Sequence, residues 1–244
     1  MIEKINWYKN WFNSPFYPIL YHNRDARDAR LFLDNLLEHL AVHPDSKILD
    51  LACGRGRHSI YMNRKGYDVS GLDMSKSSIL EASQNINSKL RFLVGDMRFI
   101  PFDAQFDYVL NLFTSFGYFE DNADHLRTLQ SIKKALKPGG RFVLDFFNAH
   151  KLAKNLVEQE TKEVQGIQFQ ITRNLVDHKI RKQIEFEYDG SDYYFEECVE
   201  AFTLDDFKSL FKDIGFEIQS CFGDYELNPY NEEESERIII VAQS

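Results

Sequence analysis

The sequence has few cysteines, no long apolar run and no excess of basic residues. Its three cysteines, Cys53, Cys198 and Cys221, are widely spaced and form no Cys-x-x-Cys pair, so they indicate neither a disulfide framework nor a zinc site. No apolar run approaches the roughly 18 to 20 residues of a membrane-spanning helix, and residues 1–11 lack the apolar stretch of a secretory signal. These absences predict a cytoplasmic protein with reduced thiols and no membrane partner.

The charge balance argues against nucleic acid as a partner. The chain carries 29 lysines and arginines against 38 aspartates and glutamates, which gives a net charge of −9. Nucleic-acid binders usually carry a basic surplus, because contacts with phosphates supply most of their non-specific affinity. With 244 residues and 43% apolar content, the chain can form one well-covered core, as a single large domain or as a domain with an appended subdomain.

As far as residue 147, the chain alternates between strand and helix patterns. Short apolar runs predict five strands, at 47–51, 67–72, 90–94, 106–112 and 141–147. Apolar residues at helical spacing predict four helices, at 25–40, 57–65, 75–86 and 123–136. Strands that alternate with helices predict a parallel sheet that is covered on both faces.

The pattern changes after about residue 160. Three successive strands are predicted, at 168–176, 180–188 and 193–202. Turn residues separate these strands, which favours an antiparallel subdomain. A capping box that starts at Thr203 then predicts a helix that ends at Gly215. Two last strands are predicted, at 216–222 and 237–242.

A glycine-containing turn, residues 50–56 (DLACGRG), lies between the first predicted strand and the helix that follows it. Glycine allows the backbone to approach a ligand closely because it has no Cβ atom. The first turn of the helix offers unpaired N–H groups to a negative or polar group. The segment therefore predicts a site for the carboxylate of a nucleotide-like cofactor.

Acidic residues also end the next two strands. Asp73 can accept hydrogen bonds from both hydroxyls of a ribose, and it follows Asp50 by 23 residues, close to the roughly 20 of dinucleotide folds. Asp96 can accept a hydrogen bond from an adenine amino group, with Met97 packed on the ring. Taken singly, each acid is equally a turn or helix-capping residue. Together, at the carboxyl ends of three consecutive strands, they predict one ligand crevice.

These segments resemble the class I S-adenosylmethionine-dependent methyltransferase family. The matching pieces are residues 50–56, 71–73, 95–97 and 136–140, and the resemblance covers roughly residues 45–150 and the final helix and strand pair. It implies an α/β fold of the Rossmann-like kind, with a doubly wound, mostly parallel sheet of seven strands, and S-adenosylmethionine as cofactor. The cofactor-binding residues that it implies are Asp50, Ala52, Gly54, Gly56, Asp73, Met74, Asp96, Met97 and Asn111. Ala52 departs from the glycine that many members carry.

Residues 113–119 (FTSFGYF) resemble the small-molecule branch of that family, which includes glycine N-methyltransferase-like and amino-sugar N-methyltransferases. This branch carries an antiparallel insertion over the active site. The resemblance implies three parts: a helical lid at 1–44, a cofactor-binding domain at 45–160 and 203–244, and the insertion at 161–202. It also implies in-line methyl transfer to a small molecule. Amine, hydroxyl and carboxylate acceptors remain open, with the amine favoured.

Three tyrosines are the candidates for contact with the acceptor. Tyr118 lies just beyond the fourth predicted strand, and packing against a lid is an equally good interpretation of it. The first 21 residues are rich in aromatic side chains, most of which we expect to dock a helix. Tyr17 and Tyr21 are the predicted pocket residues of this segment, whose rings would exclude water and favour a cation.

Other interpretations of the same motifs were weighed. An NAD-dependent dehydrogenase needs a third glycine where this chain has Ser59. Amino-directed nucleic-acid methyltransferases carry a motif similar to Asp/Asn-Pro-Pro-Tyr/Phe after the fourth strand. This chain has Asn111-Leu-Phe-Thr at that place, so an RNA methyltransferase is a lesser alternative. A non-enzymatic, cofactor-binding regulator stays open. Arg30 and Arg173 are weaker candidates, as anchors for an anionic acceptor group. No metal is predicted.

Overall fold

The computed structural model describes residues 7–22 and 26–244. Its helices are α1 (Trp7–Phe12), α2 (Tyr17–Leu20), α3 (Ala26–His39), α4 (Arg57–Arg64), α5 (Lys76–Ala82), α6 (Asn122–Ala135), α7 (Ala149–Lys154) and α8 (Leu204–Ile214). Its strands are β1 (Lys47–Leu51), β2 (Asp68–Asp73), β3 (Leu90–Val94), β4 (Phe106–Asn111), β5 (Leu136–Phe147), β6 (Gln159–Val164), β7 (Ile167–Val176), β8 (Lys179–Tyr188), β9 (Ser191–Glu200), β10 (Glu217–Phe222) and β11 (Arg237–Gln243).

Seven of these strands form one sheet, in the order β10-β11-β5-β4-β1-β2-β3. The pairs among β1 to β5 are parallel, whereas β11 runs antiparallel to both β5 and β10. The predicted α/β fold with a mostly parallel seven-stranded sheet is therefore confirmed. The strand order reverses between β1 and β4, and the crevice at such a reversal is where open α/β sheets bind their ligands.

Both faces of the main sheet are covered by apolar side chains. On one face, α3 packs through residues such as Phe32 and Leu36 against Ile48 of β1. On the other face, α6 and α8 pack against β4 and β5 around Phe142 and Phe211. Burial on both faces explains why the sequences of the central strands read as continuous apolar runs.

A separate antiparallel sheet has the order β6-β7-β8-β9. Its core is aromatic, and α1 and α2 pack on it through Trp11, Phe16 and Leu20, all of which are buried. The three strands predicted here correspond to β7, β8 and β9. The fourth strand, β6 (QETKEV), was not predicted, because it is almost wholly exposed and has no apolar alternation. Residues 1–6 and 23–25 of the predicted lid lie outside the described part of the chain.

Local signals placed the last helix correctly. The Thr203 hydroxyl accepts the Asp206 N–H, and the Asp206 carboxylate accepts the Thr203 N–H, which is the predicted capping box. Gly215 ends the helix with a left-handed φ of 76°. Strand β5 begins five residues earlier than predicted, since Leu136 already pairs with Phe106 before an irregularity in the register.

His125 of α6 is a buried imidazole in an apolar setting. Its side chain is 1% exposed, it lies against the rings of Phe116, Phe119 and Phe202, and neither ring nitrogen has a hydrogen-bond partner in the described structure. Burial, aided by the charge of Lys179, lowers the pKa of His125 to about 4. The fold therefore holds this histidine in its neutral form.

The free energy of unfolding is expected to fall as the pH drops from about 6.5 to about 4, because the unfolded chain binds a proton at His125 that the folded chain excludes. The full loss from this one group is about 3 kcal/mol, since each pKa unit corresponds to about 1.4 kcal/mol. Urea titrations of His125→Leu across this range should show a shallower loss than the parent protein. His43→Ala, which changes an exposed histidine, should keep the parent slope; an equally steep loss in His125→Leu would contradict the assignment.

Candidate active site

A cavity of about 290 Å³ lies at the carboxyl ends of β1, β2 and β3 and beneath α1 and α2. Ten of the twelve residues predicted from the sequence line it: Tyr17, Tyr21, Asp50, Ala52, Gly54, Asp73, Met74, Asp96, Met97 and Tyr118. Gly56 and Asn111, the other two, do not line it. The acids that end three consecutive strands thus face one space.

The turn after β1 has a left-handed backbone at alternate residues. Ala52 has a φ of 61°, Gly54 of 54° and Gly56 of 77°. The N–H groups of Ala52 and Cys53 both donate to the Leu72 carbonyl, at 2.7 and 3.2 Å, which fixes the turn on β2. A Cβ atom on Gly54 would meet nothing within 4 Å, so the backbone at this glycine is open to the cavity.

Gly56 serves the packing of the turn. A Cβ atom there would lie 2.6 Å from the Phe92 ring, and the Gly56 N–H donates to the Cys53 carbonyl at 2.9 Å. The residue therefore allows α4 to start close against β3. The close approach of Phe92 is a sufficient reason for glycine at position 56, and no contact with a ligand is needed to explain it.

Asp73 ties the glycine turn to the start of α5. Its Oδ2 accepts the Gly54 N–H and its Oδ1 accepts the Ser75 N–H, each at 2.8 Å. Burial raises the pKa of Asp73, against these backbone hydrogen bonds, which favour the carboxylate. A carboxylate offers about four acceptor positions, so Asp73 retains capacity for hydroxyl donors in the cavity.

Asp50 lies beneath the same turn and is 2% exposed. Its Oδ2 accepts the Ser59 hydroxyl at 2.5 Å, so the residue that replaces the third glycine of a dinucleotide fingerprint supplies a hydrogen bond here. Burial raises the pKa of Asp50 to about 6, and the nearby charge of Asp73 adds to the shift. This neighbouring pair of acids gives the cavity floor a negative character.

Asp96 is held by Arg98. The guanidinium contacts both carboxylate oxygens, with Nη2 at 2.6 Å from Oδ2, and also reaches Asp124 of α6 at 2.6 Å. Burial alone would raise the pKa of Asp96, but the hydrogen bonds and charge of Arg98 outweigh it and lower the pKa. The sequence reasoning missed Arg98, although its position two residues after an acid at a strand end is a signal for such a pair.

Asn111, at the end of β4, is buried, and its side chain is hydrogen-bonded to β1 and to the loop that follows β4. Its Nδ2 donates to the carbonyls of Leu51 and Ser115, at 3.1 and 3.4 Å. Its Oδ1 has no hydrogen-bond partner among the described residues, although it is shielded from solvent. A buried acceptor in that state is a position where a ligand N–H would be stabilising.

Phe113 and Thr114, which follow Asn111 and Leu112, adopt an unusual backbone conformation, which the sequence did not reveal. Phe113 and Thr114 both have a positive φ, 57° and 61°, which costs a residue with a Cβ atom about 1 to 2 kcal/mol. The Phe113 N–H donates to Asp145 Oδ2 at 2.8 Å, and the Thr114 N–H donates to the Asp145 carbonyl at 2.9 Å. Asp145, which is fully buried, thus holds this turn in place.

Arg237 completes the support of the turn. Its Nη2 is 2.7 Å from Asp145 Oδ1 and 3.0 Å from the Thr114 hydroxyl. Burial raises the pKa of Asp145, and the charge of Arg237 opposes that shift. Asp145 is the one acid in the apolar strand FVLDFF, which is the signal that sequence reasoning passed over.

A second chamber, of about 200 Å³, adjoins the first. The two share an aromatic wall, formed by Phe12, Tyr17, Phe113 and Tyr118. Trp7 also lines the second chamber, as do two charged residues that do not line the first, Glu197 and Arg237. The protein therefore has a larger compartment with the acidic strand ends and a smaller one with aromatic and charged walls.

Tyr118 lines both chambers and packs against α1. Its ring packs against Trp7 and Phe12 of α1, at centroid distances of 5.3 and 5.5 Å. Its hydroxyl donates to the Thr114 carbonyl, which orients the ring. The same residue lines both chambers, so its packing against α1 holds it where the two chambers meet.

The weaker arginine candidates line neither chamber. Arg173 is paired with Glu160 at 2.6 Å on the antiparallel sheet, and Arg30 lies over the Tyr61 ring. Within the described residues, no three or more His, Cys, Asp or Glu side chains are grouped so as to hold a metal ion. None of the helices among residues 7–22 and 26–244 has the length and apolar content to cross a membrane.

Comparisons with known proteins agree with this geometry. A family model described as a methyltransferase domain matches residues 48–140. The chain is 30% identical over 207 residues to the putative methyltransferase YqeM of Bacillus subtilis, over 81% of this chain and 83% of that protein. It is 27% identical over 233 residues to a glycine/sarcosine N-methyltransferase of Aphanothece halophytica, over 92% and 84% of the two chains.

The fold has solved counterparts. A structure of an S-adenosylmethionine-dependent methyltransferase from Clostridium acetobutylicum has a TM-score of 0.79 and 20% identity to this chain, and the match covers 93% of this chain and 95% of that one. The sheet order, the acids at the strand ends and the YqeM relative agree on one assignment. The chain belongs to the class I S-adenosylmethionine-dependent methyltransferase family.

Proposed function

We propose that this enzyme transfers a methyl group from S-adenosylmethionine to a small-molecule amine that binds in the second chamber. The observation that carries the proposal is the shared wall of the two chambers, Phe12, Tyr17, Phe113 and Tyr118. Because both chambers are lined by these four residues, they are neighbours, and in-line displacement requires donor and acceptor sites that adjoin each other.

The first chamber fits the cofactor. Asp73 has acceptor capacity for ribose hydroxyls, and the open backbone at Gly54 admits the carboxylate-bearing end. Asp96 and Met97 are the candidates for the adenine. Asn111, whose Oδ1 has no hydrogen-bond partner among the described residues, donates to the carbonyl of the lining residue Ser115. When bound, the cofactor supplies a sulfonium methyl group, so the protein's own task is to position the acceptor and exclude water.

An amine is the acceptor that the second chamber favours. Its volume of about 200 Å³ suits a small molecule, and it is lined by the rings of Trp7, Phe12, Tyr17 and Tyr118, residue types whose ring quadrupole attracts a cation. A methylated amine carries positive charge as the transfer proceeds, so such walls stabilise the product side of the reaction. The likeness to the glycine/sarcosine N-methyltransferase of A. halophytica points to the same class of acceptor.

Two measurements test the proposal. Calorimetry should show that the protein binds S-adenosylmethionine, and a radiolabelled methyl assay should show transfer to at least one amine from a panel of glycine, sarcosine and amino sugars. A matched panel of alcohols and carboxylic acids should remain unlabelled. Cofactor binding without transfer to any amine would reject the proposal and favour a cofactor-binding regulator; labelling of RNA alone would favour a nucleic-acid methyltransferase.

A further inference from the structure

Glu197 of β9 is a charged residue in the second chamber with a fixed orientation. Its Oε1 accepts hydrogen bonds from Trp11 Nε1 at 2.6 Å and from the Tyr21 hydroxyl at 2.5 Å. Its Oε2 is 3.7 Å from Lys182 Nζ, which in turn donates to the Tyr21 hydroxyl at 2.5 Å. With a side chain only 17% exposed, Glu197 is a carboxylate held between the lid and the antiparallel sheet.

We propose that Glu197 binds the ammonium group of the acceptor and accepts the proton that the amine must lose before it can attack. This role rests on the proposed function, since it deepens the assignment of an amine to the second chamber. The role also accounts for Tyr21, which lines the cofactor chamber and orients the Glu197 carboxylate through its hydroxyl.

Among the residues that line the second chamber, Glu197 is the one suited to bind an ammonium group and accept its proton. Arg237, the second charged lining residue, repels a cation, and its guanidinium is engaged with Asp145 and Thr114. The remaining walls are mainly aromatic and attract a cation without accepting its proton. A carboxylate that two hydrogen bonds hold in place needs little reorganisation when the acceptor binds.

The step is balanced within the site. One N–H proton of the acceptor moves to a carboxylate oxygen of Glu197, and the nitrogen lone pair that this releases forms the N–CH3 bond. The electrons of the broken S–CH3 bond stay on sulfur, which becomes a neutral thioether. After the methylated amine leaves, Glu197 returns its proton to water.

Glu197→Gln tests this role, because glutamine keeps the shape and can still accept a hydrogen bond on Oε1, whereas it cannot take up a proton. For an amine that the parent enzyme methylates, we expect kcat/KM at pH 7 to fall by about 100-fold or more. The deficit should shrink as the pH approaches the pKa of the free amine, about 10 for an alkylamine, because the amine then arrives neutral.

A second readout avoids catalysis. The dissociation constant of the same amine for the protein loaded with S-adenosylhomocysteine, measured by calorimetry, should rise about 10-fold or more in Glu197→Gln, while that of S-adenosylhomocysteine stays unchanged. Glu187→Gln, which changes an exposed carboxylate on the neighbouring strand β8, is the matched control and should behave as the parent protein.

The outcomes separate this role from the proposed function. Amine methylation that Glu197→Gln leaves unaltered in rate and pH profile would overturn the role of Glu197 alone. An equal loss at every pH, with unchanged amine binding, would make Glu197 a structural residue and would also overturn it. A parent enzyme that methylates no amine would overturn the proposed function, and the role of Glu197 with it.

Discussion

Replacing Asp73 with alanine is expected to weaken the binding of S-adenosylmethionine by about 100- to 1000-fold. Hydrogen bonds to a charged group contribute about 1.5 to 3 kcal/mol each. Two ribose hydroxyls at the lower end of that range, about 1.5 to 2 kcal/mol each, give about 3 to 4 kcal/mol, and each 1.4 kcal/mol is a factor of ten. The substitution also removes the acceptor of the Gly54 and Ser75 N–H groups, which loosens the turn that approaches the cofactor. Calorimetric titration gives the two dissociation constants directly.

A matched control lies on the same strand. Asp68 is at the amino end of β2, where it pairs with Arg91 at 3.1 Å, away from the cavity. Asp68→Ala should bind the cofactor as the parent protein does. Circular dichroism and thermal unfolding of both variants separate a lost contact from a lost fold. Unchanged cofactor affinity in a folded Asp73→Ala protein would contradict the assignment of this cavity.

The main sheet could be predicted because its signals are local. Buried strands such as β1 (KILDL) alternate with helices whose apolar spacing is regular, and that alternation fixes a parallel sheet. The acids at the ends of β2 and β3 follow from the same reasoning, since the carboxyl ends of parallel strands meet at one edge. The part of the cavity that these acids line is thus a consequence of the strand order.

The second chamber could not be predicted in the same way, because its groups come from distant parts of the chain. Glu197 meets Trp11 across 186 residues, and Asp145 meets Arg237 across 92. No short pattern links such residues, and each taken alone resembles an ordinary charged residue of a strand. The turn at Phe113 and Thr114 was invisible for another reason: neither residue is glycine, so nothing in the sequence signals a positive φ.

Arg237→Met, which removes the charge of this residue, is the second substitution for which we expect a large effect, on both the free energy of unfolding and methyl transfer. Arg237→Met leaves the carboxylate of Asp145 buried without its cation, and breaking a buried pair in this way costs about 3 to 5 kcal/mol of unfolding free energy. Methyl transfer should fall as well, because the strained turn at Phe113 and Thr114 loses the hydrogen bond of Thr114 to Arg237 and the fixed position of Asp145. Urea unfolding measures the first effect, and the methyl assay measures the second.

The pH dependence of the stability of Arg237→Met distinguishes between two causes of destabilisation: an unpaired buried charge on Asp145 and a lost packing contact of the arginine. Burial already raises the pKa of Asp145 above its ordinary value, and the loss of the opposing Arg237 charge raises it further. An acid whose pKa is higher in the folded state than in the unfolded state destabilises the fold as the pH rises through that interval. Arg237→Met should therefore be destabilised more at pH 8 than at pH 5, where Asp145 can take up a proton.

Two further variants complete the test of this pair. In Asp145→Asn/Arg237→Met the buried charge is gone and an amide oxygen remains to accept the Phe113 N–H, so much of the lost stability should return and the extra loss at high pH should vanish. Lys134→Met, which breaks the exposed pair with Asp103 at 3.8 Å, should cost less than about 1 kcal/mol at either pH. If Arg237→Met lost the same stability at pH 5 and pH 8, and the double variant recovered none of it, packing of the arginine rather than its charge would support the turn at Phe113 and Thr114.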